Sequence, residues 1–195
     1  MSYSFFAMIS RLKFINRWAL MRNTQSETLN DHTVQVAFIA HALAVIGNKR
    51  LHKDYNADRV AVLALFHDTT EILTGDMPTP IKYKNQVIKD AYKKVETEAA
   101  EHLLKMLPQD LREEYFYNFM KKDGEEELWA LVKAADKLSA VIKCLEEKKA
   151  GNSEFKTAEI LNKKQLKALN CEEAEIFVKE FLEAYSCNLD ELTTL

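Results

Sequence analysis

The scarcity of glycine and proline restricts the folds that this chain can adopt more than any other feature of its sequence does. It has 4 glycines and 3 prolines in 195 residues, and β-strands would need more turns than so few of these residues can form. Apolar residues recur instead at the three- and four-residue spacing of amphipathic helices. The pattern predicts an all-α fold. Because we find no linker, internal repeat or low-complexity segment, it also predicts a single domain over residues 1–195.

The same periodicity predicts where the helices lie. The second predicted helix has Asn30 as its N-cap and carries Val34, Phe38, His41, Ala42 and Val45 on one side. The third is apolar on nearly every side from Val60 to Phe66, which is typical of a buried central helix, and a structured loop should follow it in TGDMPTPIK. The predicted helices are Tyr3 to about Ile15, Asn30 to Gly47, about Asn56 to Leu73, Asn85 to Leu107, Pro108 to Met120, Glu125 to Ala150, and two segments between Ser153 and Tyr185 separated near Asn170.

Charge, cysteines and hydropathy exclude several classes of protein. The net charge is -3 and no basic stripe runs along the sequence, so we expect no nucleic acid polymer as a partner, and any bound nucleotide should be small. Three scattered cysteines fit neither a disulfide framework nor a CxxC zinc site and indicate a reducing, cytoplasmic location. No stretch approaches the roughly 18–20 apolar residues that span a bilayer, so we expect no membrane association.

His67 and Asp68 stand at the polar end of the apolar run VAVLALFHDTTEIL. Adjacent helical residues point about 100° apart, so they share an ion only if other helices supply further ligands. His32 opens the second predicted helix, and Asp136 lies deep in the helix LWALVKAADKLSAVIKCL. Two imidazoles and two carboxylates suit a divalent first-row metal ion. This constellation favours a metallohydrolase.

Each of these residues also has an ordinary interpretation. A lone histidine in a helix is usually a hydrogen-bonded side chain, and His41, His52 and His102 are interpreted in that way. Asp136 needs a partner, because an unpaired buried carboxylate costs several kcal/mol. That partner is either a metal ion or a lysine, with Lys133 and Lys137 as the candidates.

Glu71 follows His67 by four residues, so it should share that helix face. In that position it could orient a metal-bound water. The alternative is a surface glutamate, although the polar run TTE at the end of a buried helix argues against it.

The order of histidines and aspartates, H…HD…D, resembles the HD-domain superfamily of metal-dependent phosphohydrolases, which are all-α. Four segments together resemble the bacterial 5′-deoxynucleotidases within it, strongly over residues 3 to 155 and loosely beyond. These segments are SRLKFINRWALMRN, DHTVQVAFIAHAL, HDTTEILTGDMPTPIKY and VKAADKLSAVIKCLEEKKAGN. The HD pair alone is unspecific, whereas HDTTEILTGDMPTP with RW upstream is specific.

The resemblance implies roles for individual residues. The implied metal ligands are His32, His67, Asp68 and Asp136, with Asp68 and Asp136 also beside the substrate, and Glu71 takes the place of the catalytic glutamate. It further implies that Arg17 orients the phosphate, that Trp18 faces the deoxyribose, and that Asp76, Met77, Pro78 and Thr79 line the nucleotide pocket. Without the resemblance, Arg17 would be interpreted as a solvated charge and Trp18 as a core aromatic.

The implied activity is hydrolysis of deoxyribonucleoside 5′-monophosphates by attack of a metal-bound water, with one divalent ion, cobalt or manganese by ligand type, in a homodimer. Asp31 and Thr33 stand where the family pattern has Glu and Ser, and HDTTE replaces an HDASE-like run, which leaves base preference open. One alternative is another HD phosphohydrolase or phosphodiesterase acting on cyclic nucleotides, triphosphates or alarmones, although no further Lys/Arg cluster adjoins the HD pair. A non-catalytic helical nucleotide-binding or dimerisation protein is the other alternative.

Overall fold

The computed structural model describes residues 2–82 and 84–194, and most of them are helical. In these two ranges no β-strand forms, and the extended pairing is an isolated antiparallel bridge between Asn16 and Thr28. The prediction of an all-α fold is therefore confirmed. The α-helices are α1 Phe5–Ile9, α2 Leu29–Arg50, α3 Ala57–Phe66, α4 Glu71–Thr74, α5 Thr79–Lys82, α6 Gln86–Lys105, α7 Gln109–Phe119, α8 Glu126–Lys149, α9 Lys156–Lys167, α10 Glu172–Phe181 and α11 Leu189–Leu192.

The core forms where α2, α3 and α8 pack against one another. Leu43 of α2, Leu63 of α3 and Leu138 of α8 are fully buried, and each such side chain contributes about 1.5–3 kcal/mol on burial. α9 packs against α8, and α10 packs against α2. The helices that carry His32 and Asp136 are therefore in direct contact with each other and with α3, which directly precedes His67 and Asp68.

The start of α2 differs from the prediction. Thr28, and not Asn30, is the N-cap: its hydroxyl accepts a hydrogen bond from the Asp31 backbone N–H, and the Asp31 carboxylate accepts one from the Thr28 backbone N–H. This capping box satisfies two backbone donors at once. The earlier start leaves His32 at the end of the first helical turn.

Gly47 does not end α2, which continues to Arg50. A Cβ at Gly47 would lie 2.6 Å from the Tyr55 ring, so the glycine permits close packing of the following segment against the helix. Asn48 holds the same segment, because its amide exchanges two hydrogen bonds with the Tyr55 backbone. The prediction of a helix end at this glycine was wrong because a close approach also requires glycine.

The side of α2 that carries Val34, Phe38, His41 and Val45 faces outward, and Phe38 is 74% exposed. Val36, Ile39, Leu43 and Ile46 face the core instead. Among the described residues, α2 is the one helix long and apolar enough to cross a membrane by length and composition, with half of the most apolar window buried. Its packing against α3 and α8 makes it a core helix of this fold.

α3 begins after Asn56, as predicted, but ends at Phe66 and not at Leu73. The Thr69 hydroxyl donates to the Phe66 carbonyl at 2.6 Å, and the Glu71 N–H donates to the Asp68 carbonyl. Such local bonds compete with the helical pattern. His67 and Asp68 therefore lie in a turn between α3 and α4. On α3 itself, Val62 and Leu65 remain exposed, because α2, α7 and α8 cover only part of its circumference.

Three of the other predicted helices, α6, α7 and α8, are confirmed within two residues at both ends, and α9 and α10 lie inside the two segments predicted between Ser153 and Tyr185. Asn85 caps α6, Pro108 precedes α7, and Gly151 with a positive φ follows α8. Asn170, also at positive φ, separates α9 from α10. The predicted N-terminal helix is α1 continued as a 3₁₀ helix over Ser10–Phe14. The predicted loop TGDMPTPIK contains the short α5.

Glu147 of α8 fixes the non-helical segment between Ile15 and Thr28. Its buried carboxylate accepts hydrogen bonds from the Thr24 backbone N–H and hydroxyl, from Asn152, and from Lys143 at 2.6 Å. Burial acts to raise the pKa of Glu147, but the hydrogen bonds from Lys143, Asn152 and Thr24 lower it to about 2. The segment that carries Arg17 and Trp18 is thus anchored to the core.

Glu147→Ala is expected to lower the free energy of unfolding by about 3–5 kcal/mol, because Lys143 would stay buried without its partner. The folded pKa of about 2 lies below the ordinary value of 4.5, so this stabilisation is present above pH 4.5 and is lost as the pH falls toward 2. Urea unfolding measured across that range checks both points. Glu146→Ala, at the exposed neighbouring position, is the control, and equal losses in the two variants would contradict the anchor.

Candidate metal centre

The structure brings together His32, His67, Asp68 and Asp136. One ligand atom from each lies within 4.8 Å of the other three. The His32 Nε2 lies 3.3 Å from Asp136 Oδ1 and 3.5 Å from Asp68 Oδ2, and the His67 Nε2 lies 3.1 Å from Asp68 Oδ2. Residues from α2, the α3–α4 turn and α8 thus converge on one point.

The outer nitrogens of both imidazoles are held by hydrogen bonds that leave the inner ones free. The Ser139 hydroxyl donates to Gln35 Oε1, so its oxygen accepts from His32 Nδ1 at 3.0 Å. The His67 Nδ1 donates to the Ala64 carbonyl at 2.7 Å. Both Nε2 atoms are buried and have no hydrogen-bond partner in the protein. Each ring is oriented from behind and turns its Nε2 toward the two carboxylates, an arrangement of donor atoms that fits a divalent metal ion.

The carboxylates of the cluster are ionised at neutral pH. Burial acts to raise the pKa of both, but His67 and His32 hold the pKa of Asp68 well below its ordinary range. His32 and Lys137 do the same for Asp136. The Asp136 Oδ2 is 3.2 Å from Lys137 Nζ while Oδ1 faces His32, so the lysine named as the alternative partner occupies only one of its two oxygens. Ionised carboxylates are the form that binds metal.

Glu71 lies at the start of α4 and is only 4% exposed. The prediction that Glu71 shares a helix face with His67 was wrong, because α3 ends at Phe66, before His67. The turn between α3 and α4 brings Glu71 to the cluster instead. One carboxylate oxygen lies 3.9 Å from Lys82 Nζ, and the other is buried without a partner. Burial, then Asp68 and Asp76, raise the pKa of Glu71 to about 9. A surface glutamate is thereby excluded.

Arg17 reaches the same cluster from the segment before α2. Its guanidinium Nη1 lies 3.6 Å from Asp68 Oδ2, its Nε lies 3.6 Å from Glu27 Oε2, and the side chain is 11% exposed. It is not a solvated charge. With acidic groups on two sides, the planar fork is held beside the candidate metal ligands, where it could bind two oxygens of a phosphate group.

Trp18 follows Arg17 with a backbone φ of 55°, a conformation that few bulky residues adopt. The indole N–H donates to Glu27 Oε2 at 2.8 Å, and the ring contacts Phe155 edge-on at a centroid distance of 5.3 Å. The side chain is half-buried. It is therefore fixed at its edge and on one side, and it is not enclosed in the core.

Asp76, Met77 and Pro78 follow Gly75 in the α4–α5 loop and are half-buried. Gly75 has a φ of 73°, which reverses the chain after α4. Asp76 lies close enough to Glu71 and Arg17 to raise the pKa of each. The side chain of Thr79, the fourth residue expected to line the nucleotide pocket, lies outside the described part of the structure.

Three residues that support this site are absent from the candidates named from the sequence. Ser139 orients His32, Lys82 faces Glu71 and pairs with Glu96 at 2.8 Å, and Glu27 contacts both Arg17 and Trp18. Ser139 had a signal, since it follows Asp136 by three residues in an apolar stretch. Glu27 and Lys82 come from segments without periodicity and had none.

A cavity of about 1410 Å³ lies elsewhere in the fold, lined by residues of α2, α8, α10 and the chain beyond it. None of the four candidate ligands lines it. Its walls are mainly apolar, and its buried Lys143 and Glu147 are already paired with each other. The converging imidazoles and carboxylates, and not this cavity, mark the candidate site.

Comparison with protein families gives one match over most of the chain. The model of the family described as 5′-deoxynucleotidase YfbR-like matches residues 4–185. The 5′-deoxynucleotidase yfbR of Photorhabdus temperata is 48% identical over 189 residues, which cover 97% of this chain and 96% of that protein. A 5′-deoxynucleotidase of Pectobacterium atrosepticum is 47% identical, with 97% and 95% covered.

Solved structures of similar fold include two HD-domain phosphohydrolases. An HD-domain phosphohydrolase from Listeria innocua has a TM-score of 0.81 at 21% identity, with 98% of this chain and 95% of that chain covered. The cyanophage S-2L HD phosphohydrolase DatZ, bound to dA and one catalytic Zn²⁺ ion, has a TM-score of 0.66 at 19% identity, with 94% and 99% covered. At these identities the likeness concerns the fold.

Proposed function

Since the chain belongs to the 5′-deoxynucleotidase YfbR-like family, we propose that it hydrolyses deoxyribonucleoside 5′-monophosphates to deoxynucleoside and phosphate. One divalent metal ion is held by His32, His67, Asp68 and Asp136. The single observation that carries this proposal is the pair of buried, unpartnered Nε2 atoms that face two ionised carboxylates. A divalent ion is the group that satisfies all four at once.

The ion supplies acidity to water and neutralises negative charge on the phosphoryl oxygens when it is bound. Two imidazoles, two carboxylates and no thiolate favour cobalt, manganese or a similar ion over a tetrahedral structural zinc. The Zn²⁺ in DatZ is consistent with a divalent ion at such a site and leaves this choice open to measurement.

Arg17 and Glu71 are the protein side chains that take part in the reaction besides the metal ligands. The Arg17 guanidinium binds the phosphate and orients the phosphorus for in-line attack. Glu71 accepts a proton from the attacking water as the bond from phosphorus to the 5′ oxygen breaks, and that proton is returned to the leaving oxygen. Positive charge placed beside Asp68 would lower the pKa of Glu71 from its value of about 9 and would favour the ionised form that accepts the proton.

Trp18 selects deoxyribose, and the loop of Asp76, Met77, Pro78 and Thr79 lines the rest of the nucleotide pocket. The indole is fixed by Glu27 and Phe155, so it cannot turn aside for a ribose 2′-hydroxyl. That hydroxyl would meet the ring and lose its water without gaining a partner.

The test is a comparison of kcat/KM for dAMP, AMP, dATP and 3′,5′-cyclic AMP. We expect hydrolysis of dAMP to exceed that of AMP, with little turnover of dATP or the cyclic nucleotide. Trp18→Ala should narrow the ratio of dAMP to AMP by about 10-fold or more, mainly by admitting AMP, which is the scale of about 1–3 kcal/mol for a desolvated hydroxyl.

Trp129→Ala is the matched control, because Trp129 is the other tryptophan of the chain and packs half-buried on α8. It should lower stability and leave the ratio unchanged. An unaltered preference for dAMP in folded Trp18→Ala would contradict the sugar gate. Preferred hydrolysis of the triphosphate or the cyclic nucleotide would favour another HD phosphohydrolase, and release of no phosphate would favour a binding protein.

We also infer a homodimer that acts in the cytoplasm on free mononucleotides. The outward face of α2, with Phe38 at its centre, is apolar, and Phe181 and Ile160 of the late helices are exposed as well. Exposed apolar surfaces of this kind often mark sites where two protein chains associate. The three cysteines are free, which fits a reducing compartment, and the net charge of -3 offers no footprint for a nucleic acid polymer.

A further inference from the structure

Glu27 contacts both residues that the proposed function assigns to substrate recognition. Its Oε2 accepts a hydrogen bond from the Trp18 indole N–H at 2.8 Å and lies 3.6 Å from Arg17 Nε. Its Oε1 lies 3.9 Å from His32 Nδ1. The side chain is only 12% exposed. A single carboxylate therefore adjoins the residues for phosphate, for sugar and for metal.

The backbone fixes Glu27 in this position. The Arg17 N–H donates to the Glu27 carbonyl at 2.9 Å, and the Leu29 N–H donates to the Ile15 carbonyl at 2.7 Å. These two bonds flank the isolated bridge between Asn16 and Thr28. The pairing holds the two ends of this loop in register and so fixes the backbone from which the Glu27 side chain reaches the indole.

We propose that Glu27 is a positioning residue for sugar discrimination, acting through Trp18. The inference rests on the proposed role of Trp18 and adds the group that makes the gate rigid. An indole held only by its contact with Phe155 could rotate about its side-chain bonds and make room for a 2′-hydroxyl. The hydrogen bond from the indole Nε1–H to the Glu27 carboxylate oxygen at 2.8 Å opposes that rotation.

The requirement is for an acceptor and not for a charge, which separates this role from a general electrostatic one. Glu27→Gln keeps a carbonyl oxygen that can accept from the indole, whereas Glu27→Ala removes the acceptor. Trp18→Phe keeps an aromatic ring and removes the donor. The two deletions act on the same bond, so their effects should not add.

The experiment measures kcat/KM for dAMP and AMP at saturating metal in wild type, Glu27→Ala, Glu27→Gln, Trp18→Phe, Trp18→Ala and the Glu27→Ala/Trp18→Phe double variant, with metal content measured in each. Glu27→Ala and Trp18→Phe should each narrow the ratio of kcat/KM for dAMP to that for AMP by about 10-fold, the scale of one lost hydrogen bond. The double variant should match either single one, and Glu27→Gln should stay within about 2-fold of wild type. A purely structural role would lower both rates together and leave the ratio unchanged.

The outcomes separate the positioning role of Glu27 from the proposed role of Trp18 as a sugar gate. If Trp18→Ala narrows the ratio while Glu27→Ala and Trp18→Phe leave it unchanged, the positioning role is overturned and the gate stands. If Trp18→Ala leaves the ratio unchanged, the gate is overturned and the role of Glu27 in discrimination falls with it. Should Glu27→Ala fail to fold, Trp18→Phe still removes the same hydrogen bond, and its unchanged ratio alone overturns the proposal.

Discussion

Replacing Glu71 with glutamine is expected to lower kcat for dAMP by about 100-fold or more, the scale of general acid–base assistance, while metal and nucleotide remain bound. Glutamine has the size of glutamate but cannot take up a proton. Glu71 is not one of the four clustered residues, yet its buried carboxylate lies close enough to Asp68 for that group to raise the pKa of Glu71. Turnover should therefore fall much more than KM rises.

Although Glu71→Gln should lower kcat, it should raise the stability of the folded protein. The pKa of Glu71 in the folded protein is about 9, against an ordinary value of 4.5. Between these values the folded state binds more protons than the unfolded state, so stability falls as the pH rises through this range. Glu71→Gln removes that cost and should raise the melting temperature of the metal-free protein at pH 7–8, whereas Glu98→Gln, at an exposed position of α6, should change neither stability nor kcat.

Steady-state kinetics at saturating metal, together with metal content and thermal unfolding, distinguish the possible outcomes. A loss of turnover with a gain in stability supports a catalytic group held in an unfavourable environment. Near-normal kcat in a metal-loaded, folded Glu71→Gln protein would contradict the assigned role.

The positions of the four clustered residues could be expected from the sequence because they lie on or directly beside long periodic helices. Once α2, α3 and α8 are core helices, His32 and Asp136 can meet only at the polar end of α3. Glu71 reaches the cluster by a different route from the one expected, since the sequence pattern does not show that Thr69 ends the helix by bonding to the Phe66 carbonyl. Ends of helices depend on such local competition, which periodicity does not record.

The segment between Ile15 and Thr28 could not be predicted in the same way. It has no periodicity, and its conformation depends on contacts with residues distant in sequence, such as those from Thr24 to Glu147. Within this segment Trp18 has a positive φ, and backbone pairing of the two ends of the segment positions Glu27. The outward face of α2 was also not distinguishable from its buried face, because both are apolar.

Loss of the metal ion should have the largest effect on activity. Asp136 contributes an ionised oxygen 3.3 Å from His32 Nε2, so Asp136→Asn removes a charge that the ion needs. Losing a residue that only orients a metal ligand lowers metal affinity or activity by about 10–100-fold. Losing a metal ligand itself should lower them further. Asp136→Asn should therefore hold no stoichiometric metal and release no detectable phosphate, and Ser139→Ala should show the intermediate loss. Asp123→Asn, at an exposed position, is the control.

Phosphate release from dAMP by wild-type protein, stripped of metal by a chelator and then titrated with cobalt or manganese, tests the central claim most directly. The metal-free protein should be inactive although folded, and activity should rise with added metal and saturate at one ion per chain. The Asp136→Asn variant should stay inactive throughout the titration. Full activity in demonstrably metal-free wild-type protein would contradict the account.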